Sequence, residues 1–136
     1  TRLNLALARR LQGFDYVHAQ RHRARVYRHF AKVLSEVDAI VTPTSGRTAP
    51  LLPEDALATG ESNMEVTGAI IRFAPAANLT GFPAISVPAG YDDDGLPVGL
   101  HLMGRAWEEA QLLRLAAVVE AATPRTAPRV HYRYLG

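Results

Sequence analysis

At 136 residues, with 48% hydrophobic and 21% charged residues, the chain has the size and composition of one globular domain, which excludes a disordered tail and a second independently folded unit. The absence of cysteine excludes a disulfide framework, a thiol nucleophile and a thiolate metal site, and it fits a reducing compartment, with the cytoplasm as the expected location. The net charge of +2 hides an asymmetry, because seven arginines and Lys32 face the single acid Asp15 between Thr1 and Val33.

That basic first quarter has two readings. Clustered arginines neutralise phosphates, so nucleic acid or an anionic surface is one. A solvated helix face, or a face that pairs with acids elsewhere, is the simpler one, because no stacking aromatics interleave the basic residues and no groove-reading motif accompanies them. No apolar run approaches the roughly 20 residues that span a bilayer, so no integral membrane span is expected. The start, "TRLNLALARRLQ", lacks both a signal-peptide order and an initiator methionine, which suggests a fragment or a processed product.

In chain order, Tyr16, Ala19, Arg23, Val26, Phe30, Val33 and Val37 recur at spacings of three and four, which predicts a helix over 14–37. Arg21, His22, Arg25, Arg28, His29 and Lys32 fall mainly on its wet side. Arg23 interrupts the apolar stripe and requires either a buried carboxylate or a cleft at its level. The run "DAIVTPT", 38–44, is apolar without alternation and predicts a strand covered on both faces and ended by Pro43. A long Pro/Gly-punctuated connection follows, "SGRTAPLLPEDALATGESNM", of the kind that lines a site or wraps a surface.

Residues 65–80 read as helix interrupted by Pro75 and stopped by Gly81 and Pro83. Ile85, Val87 and Tyr91 mark one strand, and Val98, Leu100 and Leu102 a second. The link "DDDGL" with Gly95 joins them as a hairpin, and Pro88 sits at a bulge, an edge or a strand end. Leu112, Leu115, Ala116 and Val119 predict a last helix over 107–122, with Glu108 and Glu109 at its positive start and Thr123-Pro124 at its end. The fold class is mixed α/β.

No catalytic constellation stands out. Gly-x-Ser-x-Gly is absent, and none of Ser35, Ser45, Ser62 and Ser86 lies in a glycine-rich loop that could hold an oxyanion. Ser86 reads as a strand residue. The one lysine, Lys32, lies on a wet helix face and is a poor base. Among the histidines His18, His22, His29, His101 and His131, the pair His18 and His22 has i, i+4 spacing but no accompanying carboxylate, so no metal is expected there. Asp92-Asp93-Asp94 lacks the alternating ligands of a calcium loop and reads as a solvated hairpin tip. Neither a dinucleotide fingerprint nor a phosphate loop is present, and no cofactor is expected.

The stretches "DYVHAQRHRARV", "DAIVTPTSGRTAP" and "AANLTGFPAISVPAGYDDDGLPVGLHLMGRAWEEAQLL" together resemble the C-terminal part of the amidase signature family, over almost the whole chain. The stretch from Leu51 to Tyr91 is most similar to the fatty acid amide hydrolases of the plant-type branch and their bacterial relatives. The resemblance implies a parent that hydrolyses carboxamides with a serine nucleophile, a bridging serine beside a cis peptide and a lysine base. These lie in an upstream Gly/Ser-rich region, and no position here matches them, so no catalytic residue is carried over. It also implies that this part completes a mixed sheet with flanking helices, the hairpin and the last helix included, and closes one side of a substrate tunnel. Leu7 and Leu11, and Met64 and Thr67, are the candidate substrate-lining residues; ordinary packing is the competing role for each. Arg2 is open between a substrate and a surface carboxylate. The implied partners are a small-molecule amide in the parent enzyme and either a second copy or the missing N-terminal segment, without nucleic acid. A fragment of the A-type component of a transfer-RNA-dependent amidotransferase, and a non-catalytic lipid- or partner-binding module, are the alternatives.

Overall fold

A computed structural model describes residues 2–55 and 63–126. In chain order it comprises α1 (Arg2–Ala8), α2 (Gly13–Leu34), β1 (Ile40–Pro43), α3 (Met64–Ile70), α4 (Ala74–Thr80), β2 (Ala84–Tyr91), β3 (Pro97–Met103) and α5 (Glu109–Ala122). Ser62 and His131 lie outside the described residues.

The three strands form one antiparallel sheet in the order β1-β3-β2. Asp92 turns the chain between β2 and β3, its Oδ1 accepting the Asp94 and Leu96 amides at 3.1 and 2.8 Å. Gly95 supplies the left-handed residue at φ 78° that this turn requires. The Thr48 hydroxyl and these amides hold the Asp92 carboxyl below its usual range, so the first of the three aspartates is committed to the turn. The register slips between Pro88 and Gly90, which places the proline at a bulge on an edge strand, where its missing donor is tolerated.

Pairing sets the two faces of the sheet. Rows Val41–Leu102–Ile85 and Pro43–Leu100–Val87 point one way, and rows Ile40–Met103–Ala84 and Thr42–His101–Ser86 the other. On the first face α5 closes a core of Val87, Leu102, Leu112 and Ala116, with Ala39, Ile85, Leu100, Leu115 and Val119 around it. On the second, Met103 joins Leu34, Ala77 and Phe82, together with Phe30, Ala31, Ile40 and Ala106, so α2 and α4 cover only that end.

The 65–80 helix divides as Pro75 implies. The side chain of Asn63 caps α3, accepting from the Val66 amide at 3.1 Å, and Pro75 lies in the first turn of α4. Gly81, at φ 81°, ends α4 in the left-handed cap conformation. Gly46 anchors the long connection by donating to Ala69 O at 2.9 Å, and a Cβ at Gly46 would sit 2.4 Å from that oxygen.

Arg105 ties three elements at one corner. Its Nη1 donates to the Leu34 and Val37 carbonyls at 3.0 and 2.9 Å, its Nη2 to Asp38 at 3.3 Å, and its Nε to Glu108 at 2.8 Å. The α2 C-terminus, the entry to β1 and the entry to α5 are thereby joined, and the two carboxylates raise the guanidinium pKa further above its ordinary value. Beside it, Trp107 stands 93% exposed at φ 66°, an uncommon backbone conformation for a bulky residue.

Two expectations are corrected. The buried stripe of α2 runs through Phe30, Ala31 and Leu34, with Tyr27 stacked on Phe82 at 4.7 Å, so it is turned by about one position from the Tyr16–Val37 stripe, whose Tyr16, Val33 and Val37 are exposed. The reason is that α4 and Phe82 select the neighbouring face. β1 is an edge strand among the described residues, with Val41 54% exposed, so it is not covered on both faces here. Of the two settings expected for Arg23 the structure has the cleft: no carboxylate pairs with it among the described residues, its Nε donates to the Leu79 carbonyl at 2.7 Å, and it borders the space between α2 and α4.

Candidate functional site

Strand periodicity gathers the polar strand residues on one sheet face. Thr42, His101 and Ser86 occupy one row, and Thr44 follows beyond Pro43. Thr42 Oγ1 lies 3.2 Å from His101 Nδ1, and Thr44 Oγ1 lies 2.5 Å from Ser86 Oγ. A Cβ on Gly99 would fall 2.6 Å from Thr44 Oγ1 and 3.1 Å from Ser86 Oγ, so the glycine makes room for this pair. Burial pushes the His101 pKa down, which keeps the ring neutral and able both to donate and to accept at neutral pH. The row offers hydroxyl and imidazole groups, but among the described residues none activates Ser86 as a nucleophile, since its hydroxyl is paired with Thr44.

The other described serines are equally committed. Ser35 Oγ donates to the Lys32 carbonyl at 2.7 Å and Ser45 Oγ to the Arg47 carbonyl at 2.9 Å. Among the described residues no serine hydroxyl is bonded to a histidine or a lysine side chain. His18 and His22 are exposed on α2, and no group of three or more His, Asp or Glu able to hold a metal occurs among the described residues.

Leu7 lies in α1 and is 58% exposed, while Leu11, 70% exposed, falls in the connection after that helix. Met64 and Thr67 occupy the first turn of α3, Met64 76% exposed and the Thr67 hydroxyl donating to the Asn63 carbonyl at 2.8 Å. None of the four lines either of the two clefts described next.

Open clefts form elsewhere among the described residues. One of about 370 Å³ runs between α5 and the β1 edge, lined by Val41, Leu100, Leu102, Leu115, Val118 and Val119, with Asp38 at its end. The other, of about 500 Å³, lies between α2 and α4 and is lined by Gln20, Arg23, Ala24, Tyr27, Arg28 and Thr80. Sequence reasoning passed over His101, Thr42 and Thr44. The signal that finds them is the two-residue period: the polar positions of all three strands fall on the face opposite Leu100 and Leu102.

Comparison with known proteins bears on this geometry. Residues 1–113 match the family model described as Amidase. The chain is 51% identical over 136 residues to a fatty acid amide hydrolase of Arabidopsis thaliana, covering 99% of this chain and 22% of that protein. It is 38% identical over 121 residues to the A-type component of the glutamyl-tRNA(Gln) amidotransferase of Parvibaculum lavamentivorans, covering 87% of this chain and 23% of that protein. Among solved structures, the corresponding A-type component from Thermotoga maritima superposes with a TM-score of 0.68 at 35% identity, over 80% of this chain and 23% of its own. A crystal structure of an amidase superposes with a TM-score of 0.71 at 30% identity, over 88% of this chain and 27% of its own. The chain thus spans about a fifth to a quarter of the length of the relatives it matches.

Proposed function

This chain belongs to the amidase signature family, and from that premise we propose that it is the C-terminal portion of a serine-dependent amidase that hydrolyses carboxamides, fatty acyl amides among them. The observation that carries the reading is the 51% identity, sustained over the whole chain, to a plant fatty acid amide hydrolase. The amidotransferase reading rests on 38% identity and is second for that reason.

In this reading the hairpin and β1 extend the sheet of the whole enzyme, and the half-covered face with Thr42, His101 and Ser86 meets the part that carries the nucleophile. Leu7 and Leu11, with Met64 and Thr67, form an apolar wall for the acyl chain once that part is in place, and their exposure is in keeping with such a role. The reaction belongs to the upstream part, so this chain alone is inactive. Isolated, it self-associates, because Leu5, Leu7, Leu11, Phe14 and Val41 leave apolar surface in water. No helix among the described residues is long and apolar enough to cross a membrane, and the cytoplasm is the proposed location.

Intact-mass analysis after exposure to a fluorophosphonate serine probe, run beside anilide and fatty-amide hydrolysis, tests the reading. No adduct and no turnover are expected, with activity restored when the upstream segment is supplied. A stoichiometric adduct on Ser35, Ser45, Ser62 or Ser86 would overturn the placement of the nucleophile outside this chain. Light scattering at high micromolar concentration tests the association, and a strictly monomeric species would refute it.

A further inference from the structure

Arg23 is the residue that the amidase reading leaves without a task. It reaches from α2 to α4, where its Nε donates to the Leu79 carbonyl, one of the acceptors that a helix end leaves without an internal partner. That bond fixes the guanidinium plane at the border of the α2–α4 cleft, which Arg23 lines. Its Nη2 lies beside Gly81, at an ordinary contact distance of 3.6 Å from where a Cβ would stand. Among the described residues neither Nη of Arg23 has a hydrogen-bond partner, and no carboxylate pairs with Arg23 or Arg28. Arg28 and the Gln20 amide line the same cleft.

We propose that this cleft is a binding site for a small-molecule oxyanion, a phosphate or a carboxylate group, held by the free edge of the Arg23 fork and by Arg28. Two cations that share a concavity repel one another, and an anion between them reverses the sign of that interaction. A guanidinium offers parallel donors that match either group, and one already positioned by a backbone carbonyl loses little freedom on binding. The floor is preformed: Tyr27 is stacked on Phe82 at an interplanar angle of 10°, and the Thr80 hydroxyl is committed to the Ala76 carbonyl at 2.7 Å. The same stacking engages one face of the Tyr27 ring, which disfavours a nucleic-acid strand that would need it as a base platform. Gln20 supplies a neutral donor beside the two charges.

Amide NMR of the chain, titrated at constant ionic strength with inorganic phosphate and separately with acetate, tests the site. Saturable shifts at Leu79, Thr80 and Gly81 are expected in at least one arm; saturation by phosphate alone assigns a phosphate group, and by acetate alone a carboxylate. Arg28→Gln, which removes no side-chain hydrogen bond or ion pair among the described residues, weakens binding about tenfold, as the loss of one charge-assisted bond predicts. Arg23→Lys keeps the charge, loses the fork and weakens binding as well. Arg25→Gln, on the wet side of the same helix, leaves affinity within about twofold. Shifts that stay linear in both arms, or an Arg25→Gln loss equal to that of Arg28→Gln, reduce the effect to screening of a basic surface and overturn the proposal.

Discussion

The hairpin with α5 and the limb of α1 with the first half of α2 both carry leucines at regular spacing, yet they stand differently toward water. Leu102, Leu112 and Ala116 are buried against Val87, because β2, β3 and α5 follow one another in sequence and enclose a common core. Leu5, Leu7, Leu11 and Phe14 are exposed, because no described element packs over them. The first region satisfies its apolar pattern within this chain. The second carries a pattern whose partner lies elsewhere.

The largest test of that contrast is truncation of one leucine on each side. Leu102→Ala should cost about 2–5 kcal/mol, measured by urea denaturation, because it removes a fully packed side chain and leaves a cavity between the sheet and α5. Leu11→Ser should change stability by no more than about 0.5 kcal/mol while reducing self-association. Similar costs at the two positions would mean that the limb is packed after all. Next in size is Arg105→Gln, which removes donors from the Leu34 and Val37 carbonyls and leaves Asp38 and Glu108 without their cation. A clear loss, smaller than that of Leu102→Ala in the same urea titration, is expected, since this corner joins the C-terminal end of α2 to the entries of β1 and α5.

The same contrast explains what could be read from the sequence. The hairpin of β2 and β3, the break in pairing at Pro88, the split at Pro75 and the cap at Gly81 were all legible, because each depends on residues within a few positions of itself. The buried face of α2 was not. Its sequence holds two adjacent apolar stripes, and the choice between Val33 and Leu34 is made by Phe82 and Ala77, more than forty residues away. β1 read as doubly covered because Ala39, Ile40 and Val41 are apolar, and apolarity alone does not say whether the neighbouring strand belongs to the same chain. Arg23 was legible as a residue that needed a partner, but a carbonyl at a helix end is invisible to a search for carboxylates.

A glycine in each region gives a smaller test. Gly95→Ala in the hairpin turn should cost about 1 kcal/mol in thermal or urea unfolding. No atom lies within 4 Å of the new Cβ, so the cost comes from the φ of 78° alone. Gly13→Ala, at the first position of α2 and equally open, should instead stabilise by up to about 1 kcal/mol, because an ordinary helical backbone gains from the lower entropy of the unfolded chain. A destabilising Gly13→Ala would place a close neighbour over the start of α2.

The smallest effect concerns His101, which sits in the hairpin region on the sheet face that α2 and α4 leave half covered. Burial disfavours its imidazolium, so the folded chain holds the proton less tightly than the unfolded chain, whose value is near 6.5. The unfolded state therefore binds more protons in the window below that value, and stability rises with pH there. The contribution is complete above the unfolded pKa and is lost as pH falls through the lowered folded one. Denaturation midpoints followed from pH 8 to pH 5 should show a small decline that His101→Gln removes. His22→Gln, on the exposed face of α2, is the matching control. An unchanged decline in His101→Gln would mean that the ring is solvated, and that the Thr42–His101–Ser86 row is open to water along its full length.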